Sequence, residues 1–182
     1  MKKTVLTFGF ISGGISALLM IGMLPFKDLI GFDKGMIVGY TSMLLAFLMI
    51  FFGVRSYREN VGGGQISFGK AFAIGILITL ISCACYVIVW EIVYFFFIPD
   101  FIDQYAAYQI AKLRAAGATQ QVIDATVQEM KNFKTWYDNP FKNAAITFTE
   151  PFPVGLIITL VSAAILRKKK KDVRNEQLPA TA

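Results

Sequence analysis

The stretch FGKAFAIGILITLISCACYVIVWEIVYFFFI, residues 68–98, decides the fold class of this chain. Its charged side chains are Lys70, close to its start, and Glu91, close to its end. About 20 residues of apolar helix cross the ~30 Å hydrocarbon layer of a bilayer. The stretch is longer than one crossing requires, so we expect a membrane-spanning helix that tilts or protrudes.

Three further apolar stretches, residues 4–24, 36–54 and 144–166, are also long enough to cross a bilayer. Of the 182 residues, 55% are hydrophobic and 16% are charged, whereas about a quarter of the residues of soluble domains are charged. We therefore predict an all-α, polytopic membrane protein with four transmembrane helices in a single membrane domain, residues 1–182. The first stretch also resembles a signal peptide, but an uncleaved span is favoured because no clear cleavage site precedes Pro25.

The basic residues predict the orientation of the chain. Six of the 18 Lys and Arg residues lie in RKKKKDVR, residues 167–174, within a basic tail that runs from 167 to 182. Four spans place both termini on one side, and the positive-inside rule assigns that side to the cytoplasm. The net charge of +6 thus indicates contact with membrane lipids rather than with nucleic acid. The residues expected to contact lipid headgroups are Arg55, Arg58, Lys168, Lys169, Lys170 and Lys171.

The segment between the third and fourth stretches, residues 99–143, predicts an extracytoplasmic helical hairpin. One helix follows Pro99 and ends near Gly117, and a second begins after Thr119, which can cap it. Apolar residues recur in both at helical spacing. Two placements remain open, because the hairpin can cap the outer face of the bundle or lie on the lipid headgroups.

Two acidic residues, Glu91 and Glu150, fall inside the third and fourth apolar stretches. Each lies six or seven residues from the outer end of its stretch, so both are expected roughly 9–11 Å inside the outer boundary. Ionisable groups at membrane depth are costly and generally functional. The candidate polar or ion site consists of Glu91, Glu150, Tyr40, Thr147 and Thr149.

Pro151 and Pro153 follow Glu150 and predict a break in the fourth helix. The missing backbone donors are expected to free the carbonyl groups of Thr147 and Thr149, which can then line a cation or proton site. The alternatives are that Glu150 is a structural acid hydrogen-bonded to Thr or Tyr, or that the last helix begins at Pro151 and leaves Glu150 exposed at its N-terminus.

Small residues at four-residue spacing, Gly9, Gly13 and Ala17, mark one face of the first apolar stretch. Such residues let transmembrane helices approach closely. The face is a candidate helix-packing seam. It can join two copies of the chain, or it can pack against another span of the same chain, which we favour.

Three consecutive glycines, residues 62–64, connect the second and third stretches. Next to Arg55 and Arg58 they could cradle a phosphate or a lipid headgroup. The spacing does not match a nucleotide-binding loop, and no strand precedes it. A connector with Ser67 as the cap of the next helix is the favoured interpretation.

The chain contains no histidine, which removes the commonest general base and metal ligand. Cys83 and Cys85 lie inside an apolar stretch, and we interpret them as packing residues. No catalytic constellation is recognisable, so we expect no enzymatic activity, no metal site and no cofactor.

Four segments carry a resemblance to a known family: YTSMLLAFLMIFFGVRSYREN from residue 40, GGGQISFGKAFAIGILITLI from 62, VWEIVY from 89 and EPFPVGLIITLVSAAILRKKK from 150. Together they resemble the bacterial domain-of-unknown-function 4199 family, whose members are small four-span membrane proteins. The resemblance implies a multi-pass protein of the bacterial cytoplasmic (inner) membrane with both termini in the cytoplasm. It implies no activity, so no catalytic residue is carried across.

Three functional hypotheses follow. The leading one is a non-enzymatic structural or accessory component that packs with itself or with another membrane protein. The second is a small cation- or proton-coupled transporter that uses Glu91 and Glu150. The third is a lipid-acting enzyme in which these two acids act as acid and base.

Overall fold

The structure, a computed structural model, describes residues 1–168. These residues form a helical fold without β-strands, which confirms the predicted all-α class; a single antiparallel bridge joins Ile66 to Lys168. Three helical segments of this part are long and apolar enough to cross a membrane: Lys2–Asn60, Phe68–Phe96 and Pro140–Leu166. The helices are α1 Lys2–Met23, α2 Lys27–Asn60, α3 Phe68–Phe96, α4 Phe101–Ala115, α5 Gln120–Tyr137, α6 Pro140–Phe148 and α7 Pro151–Leu166.

The first apolar segment, Lys2–Asn60, folds back on itself. A 3-10 turn at Leu24–Phe26 ends α1, and Gly31 interrupts α2 with φ 67° and ψ 174°, a backbone conformation that glycine adopts without steric strain. The hydroxyl of Ser12 on α1 donates to the carbonyl of Ala46 on α2 at 2.9 Å, and Gly53 lies against Phe8. These pairs show that α1 and α2 run antiparallel.

Helix α3 is the centre of the bundle, because it packs against α1, α2, α6 and α7. Ile74 and Ile78 on α3 are fully buried together with Ala46 and Ile50 on α2. Burial of such branched side chains against their neighbours supplies close packing, which holds helices together where lipid offers no hydrophobic drive.

Two nearly identical pentapeptides build the crossing of α3 and α7. Gly75 and Thr79 belong to GILIT on α3, and Gly155 and Thr159 belong to GLIIT on α7. A Cβ atom at Gly75 would lie 2.8 Å from Cγ2 of Thr159, and one at Gly155 would overlap the methyl group of Thr79. The Thr79 and Thr159 hydroxyl oxygens are 2.9 Å apart. Each glycine therefore accommodates the threonine of the other helix, an arrangement that the sequence analysis missed.

One end of the bundle holds Met1, the connector 61–67 and Lys168, and we call it the basal end. Gly63 and Gly64 adopt positive φ, 60° and 78°, and turn the chain between α2 and α3. Ser67 caps α3, as expected, by accepting a hydrogen bond from the amide of Lys70 at 3.3 Å. The Arg58 guanidinium donates to the carbonyl of Leu166 at 3.3 Å, a favourable position for a cation at a helix C-terminus.

The opposite, distal end carries α4 and α5. Gly117, with φ 74°, lies in the turn between them, and the ion pair of Asp103 and Lys134 joins the two helices. The Phe32 ring on α2 contacts the ring of Tyr105 on α4, with centroids 5.4 Å apart. These contacts attach α4 and α5 to each other and to the apolar helices.

The segment predicted as one span over 144–166 consists of two helices. Helix α6 begins at Pro140, four residues earlier than expected, because proline fits the first helical turn and the Asn139 side chain accepts from the amide of Lys142. Helix α7 begins at Pro151. The helix break at the prolines was expected, but the carbonyl of Thr147 is not free, because it accepts from the amide of Glu150 at 3.3 Å.

Candidate functional site

A chain of hydrogen bonds joins α3, α5 and α6 at the distal end. The indole nitrogen of Trp90 donates to the Tyr137 hydroxyl at 2.8 Å, and this hydroxyl is 3.3 Å from that of Thr147. Thr147 in turn donates to Oδ1 of Asn143 at 3.0 Å. We call these four residues, together with Glu91, the distal cluster.

Local sequence explains how these side chains meet. Asn143 and Thr147 are four residues apart and therefore share one face of α6. Tyr137 is the last residue of α5, and the corner that follows brings it back onto the bundle. The Tyr94 hydroxyl fixes this corner by donating to the Asp138 carboxylate at 2.7 Å. Glu91 follows Trp90 on α3, and the charge of its carboxylate acts on the Tyr137 hydroxyl.

Two buried polar atoms in residues 1–168 have no hydrogen-bond partner, and both belong to the distal cluster: Oε1 of Glu91 and Nδ2 of Asn143. Asn143 has 0% of its surface exposed. Leaving a buried donor or acceptor unpaired costs about 1–3 kcal/mol. Oε1 is an acceptor and Nδ2 is a donor, so each of the two atoms could be satisfied by a water molecule or another polar group.

Glu150 lies at the junction of α6 and α7 and accepts a hydrogen bond from the Tyr86 hydroxyl at 3.3 Å. Burial raises the pKa of the Tyr137 hydroxyl, and the carboxylates of Glu150 and Glu91 add smaller contributions in the same direction. Both acids therefore act electrostatically on one hydroxyl group, although each carboxylate has its own surroundings.

Within residues 1–168, the other two members of the predicted polar site form no side-chain hydrogen bond to the distal cluster. Tyr40 is on α2, with 47% of its surface exposed. The Thr149 hydroxyl donates to the carbonyl of Ile146 within its own turn, at 2.6 Å. Of the predicted set, the structure thus joins Thr147 to the hydrogen-bonded chain and places Glu91 and Glu150 around it.

Comparison with known proteins places the chain in a family. The family described as "Protein of unknown function (DUF4199)" matches residues 7–168. The chain belongs to the DUF4199 family. No curated protein and no solved structure matches it.

In this DUF4199 protein, three residues of the distal cluster were not among the predicted site residues: Trp90, Tyr137 and Asn143. Asn143 carried a usable signal, because an amide four residues before Thr147 extends one polar face of a helix. Tyr137 carried none, because only tertiary packing brings it to Thr147.

The small-residue seam of the DUF4199 chain faces α3. A Cβ atom at Gly9 would lie 2.8 Å from Cγ2 of Ile81, and one at Gly13 would lie 2.5 Å from Cβ of Cys85. The Ser82 hydroxyl reaches the carbonyl of Gly9 at 3.3 Å. Ala17 is half-buried. In the described part of the chain this face packs within the molecule.

The predicted headgroup contacts at the basal end have varied environments. Arg55 is exposed, whereas Arg58 pairs with Glu59 in addition to its bond to α7. Lys168 pairs with Ile66 through two backbone hydrogen bonds, of 2.9 and 3.1 Å. Lys169, Lys170 and Lys171 lie outside the described residues. Within 1–168, no group of three or more Cys, Asp or Glu side chains could hold a metal ion.

Proposed function

We propose that this DUF4199 protein is a non-enzymatic structural or accessory component of the bacterial cytoplasmic membrane that packs with another membrane protein or with itself. In this proposal α1, α2, α3 and the pair α6–α7 form four spans. The antiparallel pairing of α1 with α2 supports the count, because it makes two crossings from one apolar segment. The basic residues at the basal end favour cytoplasmic termini, which places α4 and α5 outside the cytoplasm as a hairpin.

The observation that carries the proposal is a groove between α4 and α5. It is a cavity of about 270 Å³, and it belongs to helices that lie outside the three apolar segments. A concave apolar surface of this size can receive a side chain of another protein. Its apolar lining comprises Ile102, Ala106, Ala107, Ile110, Val127 and Met130.

Site-directed photocrosslinking tests this proposal. We expect a photoreactive residue at Ala107, in the groove, to form an adduct with a second copy or another membrane protein in mild detergent. The matched control is Gln128, which is exposed on α5 but does not line the groove. A strictly monomeric species on blue-native gels, without adducts at position 107, contradicts the proposal.

A second candidate, a small cation- or proton-coupled transporter, is favoured by the unpaired Oε1 of Glu91. A carboxylate oxygen that is buried without a partner can take up a proton or a cation. The experiment is ion or proton flux in proteoliposomes with the full chain, Glu91→Gln and Glu150→Gln. Flux that requires these acids supports transport, and the same flux in both variants as in the unmodified chain rejects it.

A further inference from the structure

The corner between α5 and α6, residues 136–142, has two chemically different sides. Its inner side presents Tyr137 to the distal cluster. Its outer side presents Trp136 and Phe141, whose surfaces are 58% and 87% exposed. The ammonium group of Lys142, also exposed, lies 4.3 Å from the centroid of the Trp136 ring. An aromatic ring with a cation over its face combines apolar area with charge at one point of the surface.

The contact of this corner with α3 fixes its position along the helical bundle. The hydrogen bond from Tyr94 to Asp138 holds the corner beside the last turn of α3. In that turn Phe96 is 79% exposed, and the following residue, Phe97, is exposed as well. The corner also begins the apolar segment Pro140–Leu166. The exposed aromatic side chains of the corner thus lie at the start of one segment that is apolar enough to cross a membrane, and the corner is hydrogen-bonded to the end of another.

We propose that this corner binds the lipid leaflet at the distal end, with Trp136 and Phe141 at the boundary of headgroups and acyl chains and Lys142 on a lipid phosphate. Tryptophan is enriched at that depth because its ring is apolar and its N–H is polar. Lysine supplies a positive charge for the phosphate. The occupant is lipid because the corner begins one candidate span and is hydrogen-bonded to the last turn of another, whereas the α4–α5 groove lies outside the candidate spans.

The corner then connects the membrane surface to the distal cluster. Trp136 and Tyr137 are adjacent, as are Lys142 and Asn143, so in each pair one side chain faces outward and the other is buried. Binding of lipid to Trp136 and Lys142 would therefore hold Tyr137 and Asn143 in place. The inference depends on membrane insertion alone and on neither of the functions proposed above.

Fluorescence can test the inference directly because Trp90 and Trp136 are the two tryptophans of the chain. The full chain is reconstituted in vesicles of phosphatidylcholine and phosphatidylglycerol whose acyl chains carry bromine either near the headgroup or near the methyl end. We expect a loss of emission that is larger for the shallow bromine, and Trp136→Phe should remove this shallow component. The remaining Trp90 signal provides the baseline without any change to the distal cluster.

A second pair of variants tests the phosphate contact. Lys142→Ala should weaken the shallow quenching by a factor of about two to five when phosphatidylglycerol is present, as expected for one basic residue at an anionic surface. Arg114→Ala, an exposed basic residue on α4 that does not line the groove, should leave the quenching unchanged. An equal effect of both variants rejects the specific role of Lys142.

Two results overturn the inference. Quenching of Trp136 by aqueous iodide but not by brominated lipid would place the corner in water. Quenching by neither reagent would mean that protein covers the corner, either a second copy or a partner. Insertion of the helices themselves is checked separately by flotation of the vesicles, so failure of the corner and failure of membrane insertion are distinguishable.

Discussion

The crossing of α3 and α7 and the distal cluster both place polar side chains inside the helical bundle, but they satisfy them differently. At the crossing, the Thr79 hydroxyl donates to the carbonyl of Gly75 at 3.0 Å and lies 2.9 Å from the hydroxyl of Thr159. In the distal cluster, aromatic and amide groups from three helices form the chain of bonds, and two buried atoms remain unpaired.

This difference distinguishes a helix-packing site from a site that contains buried polar atoms without hydrogen-bond partners. At the crossing, hydroxyl groups form hydrogen bonds within their own helical turn and with the other helix. Two helices can then approach closely without leaving buried polar atoms unpaired. A buried network that is only partly satisfied is destabilising unless something else completes it. The crossing is therefore expected to control stability, and the distal cluster to respond to ligands, protons or water.

The largest expected effect concerns the crossing. Gly155→Ala should lower the free energy of unfolding by about 1–3 kcal/mol, because overpacking a buried contact forces its neighbours to move. The new methyl group would overlap Thr79, which is fully buried, and would lie 3.2 Å from the Phe47 ring. Thermal unfolding of the purified chain in mild detergent measures the change.

The matched control is Gly14→Ala on α1. Gly14 is exposed, and nothing lies within 4 Å of a Cβ atom built there. This variant should be as stable as the unmodified chain, or slightly more stable because alanine favours the helix. If both variants lose the same stability, overpacking at the crossing is not the cause of the loss, because Gly14 has no neighbour to displace.

A smaller effect is expected from the paired part of the distal cluster. Thr147→Val keeps the shape of the side chain but removes the hydroxyl that joins Asn143 to Tyr137. Stability should fall by about 1–2 kcal/mol, because buried partners lose their bonds. The matched control is Thr126→Val on α5, where the hydroxyl is exposed and bonds only within its own helix. This variant should change the stability little. Equal changes in the two variants would show that the buried chain contributes no stability.

Replacing Glu91, the unpaired acid of the distal cluster, should not lower the stability of the protein. Glu91→Gln replaces a carboxylate, one oxygen of which is buried without a partner, by a neutral amide that is easier to bury. We expect the melting temperature to stay the same or to rise. A drop comparable with that of Thr147→Val would mean that Glu91 has a stabilising partner, which would weaken the distinction between the two regions.

Sequence patterns predicted the helical class because apolar stretches of about 20 residues have few alternatives in a bilayer. The break at Glu150 was also predictable, since Pro151 and Pro153 act locally. The sequence did not indicate which residues of different helices pack against each other. GILIT and GLIIT are 80 residues apart, and neither pentapeptide indicates by itself that it meets the other. Likewise, Tyr137 joins Thr147 only because the corner after α5 reverses the chain, and helical periodicity contains no information on that reversal.

The smallest predicted effect is a change in the pKa of Tyr137. Burial raises this pKa above the ordinary value of about 10, and negative charge on Glu150 and Glu91 raises it further. The protonated hydroxyl therefore contributes stability that is fully present below about pH 10 and is lost as the pH rises through the raised pKa.

The difference in tyrosinate absorbance between the unmodified chain and Tyr137→Phe isolates this titration. Glu150→Gln and Glu91→Gln should each lower the pKa of Tyr137, with the larger change for Glu150, whose contribution is the greater of the two. Glu129→Gln, exposed on α5, should leave it unchanged. If Glu91→Gln also leaves it unchanged, the charge of Glu91 does not reach the Tyr137 hydroxyl, and Glu91 is electrostatically separate from the hydrogen-bonded chain. The distal cluster would then consist of two independent parts, and its difference from the fully paired crossing would lie in the single buried oxygen of Glu91 and the amide of Asn143.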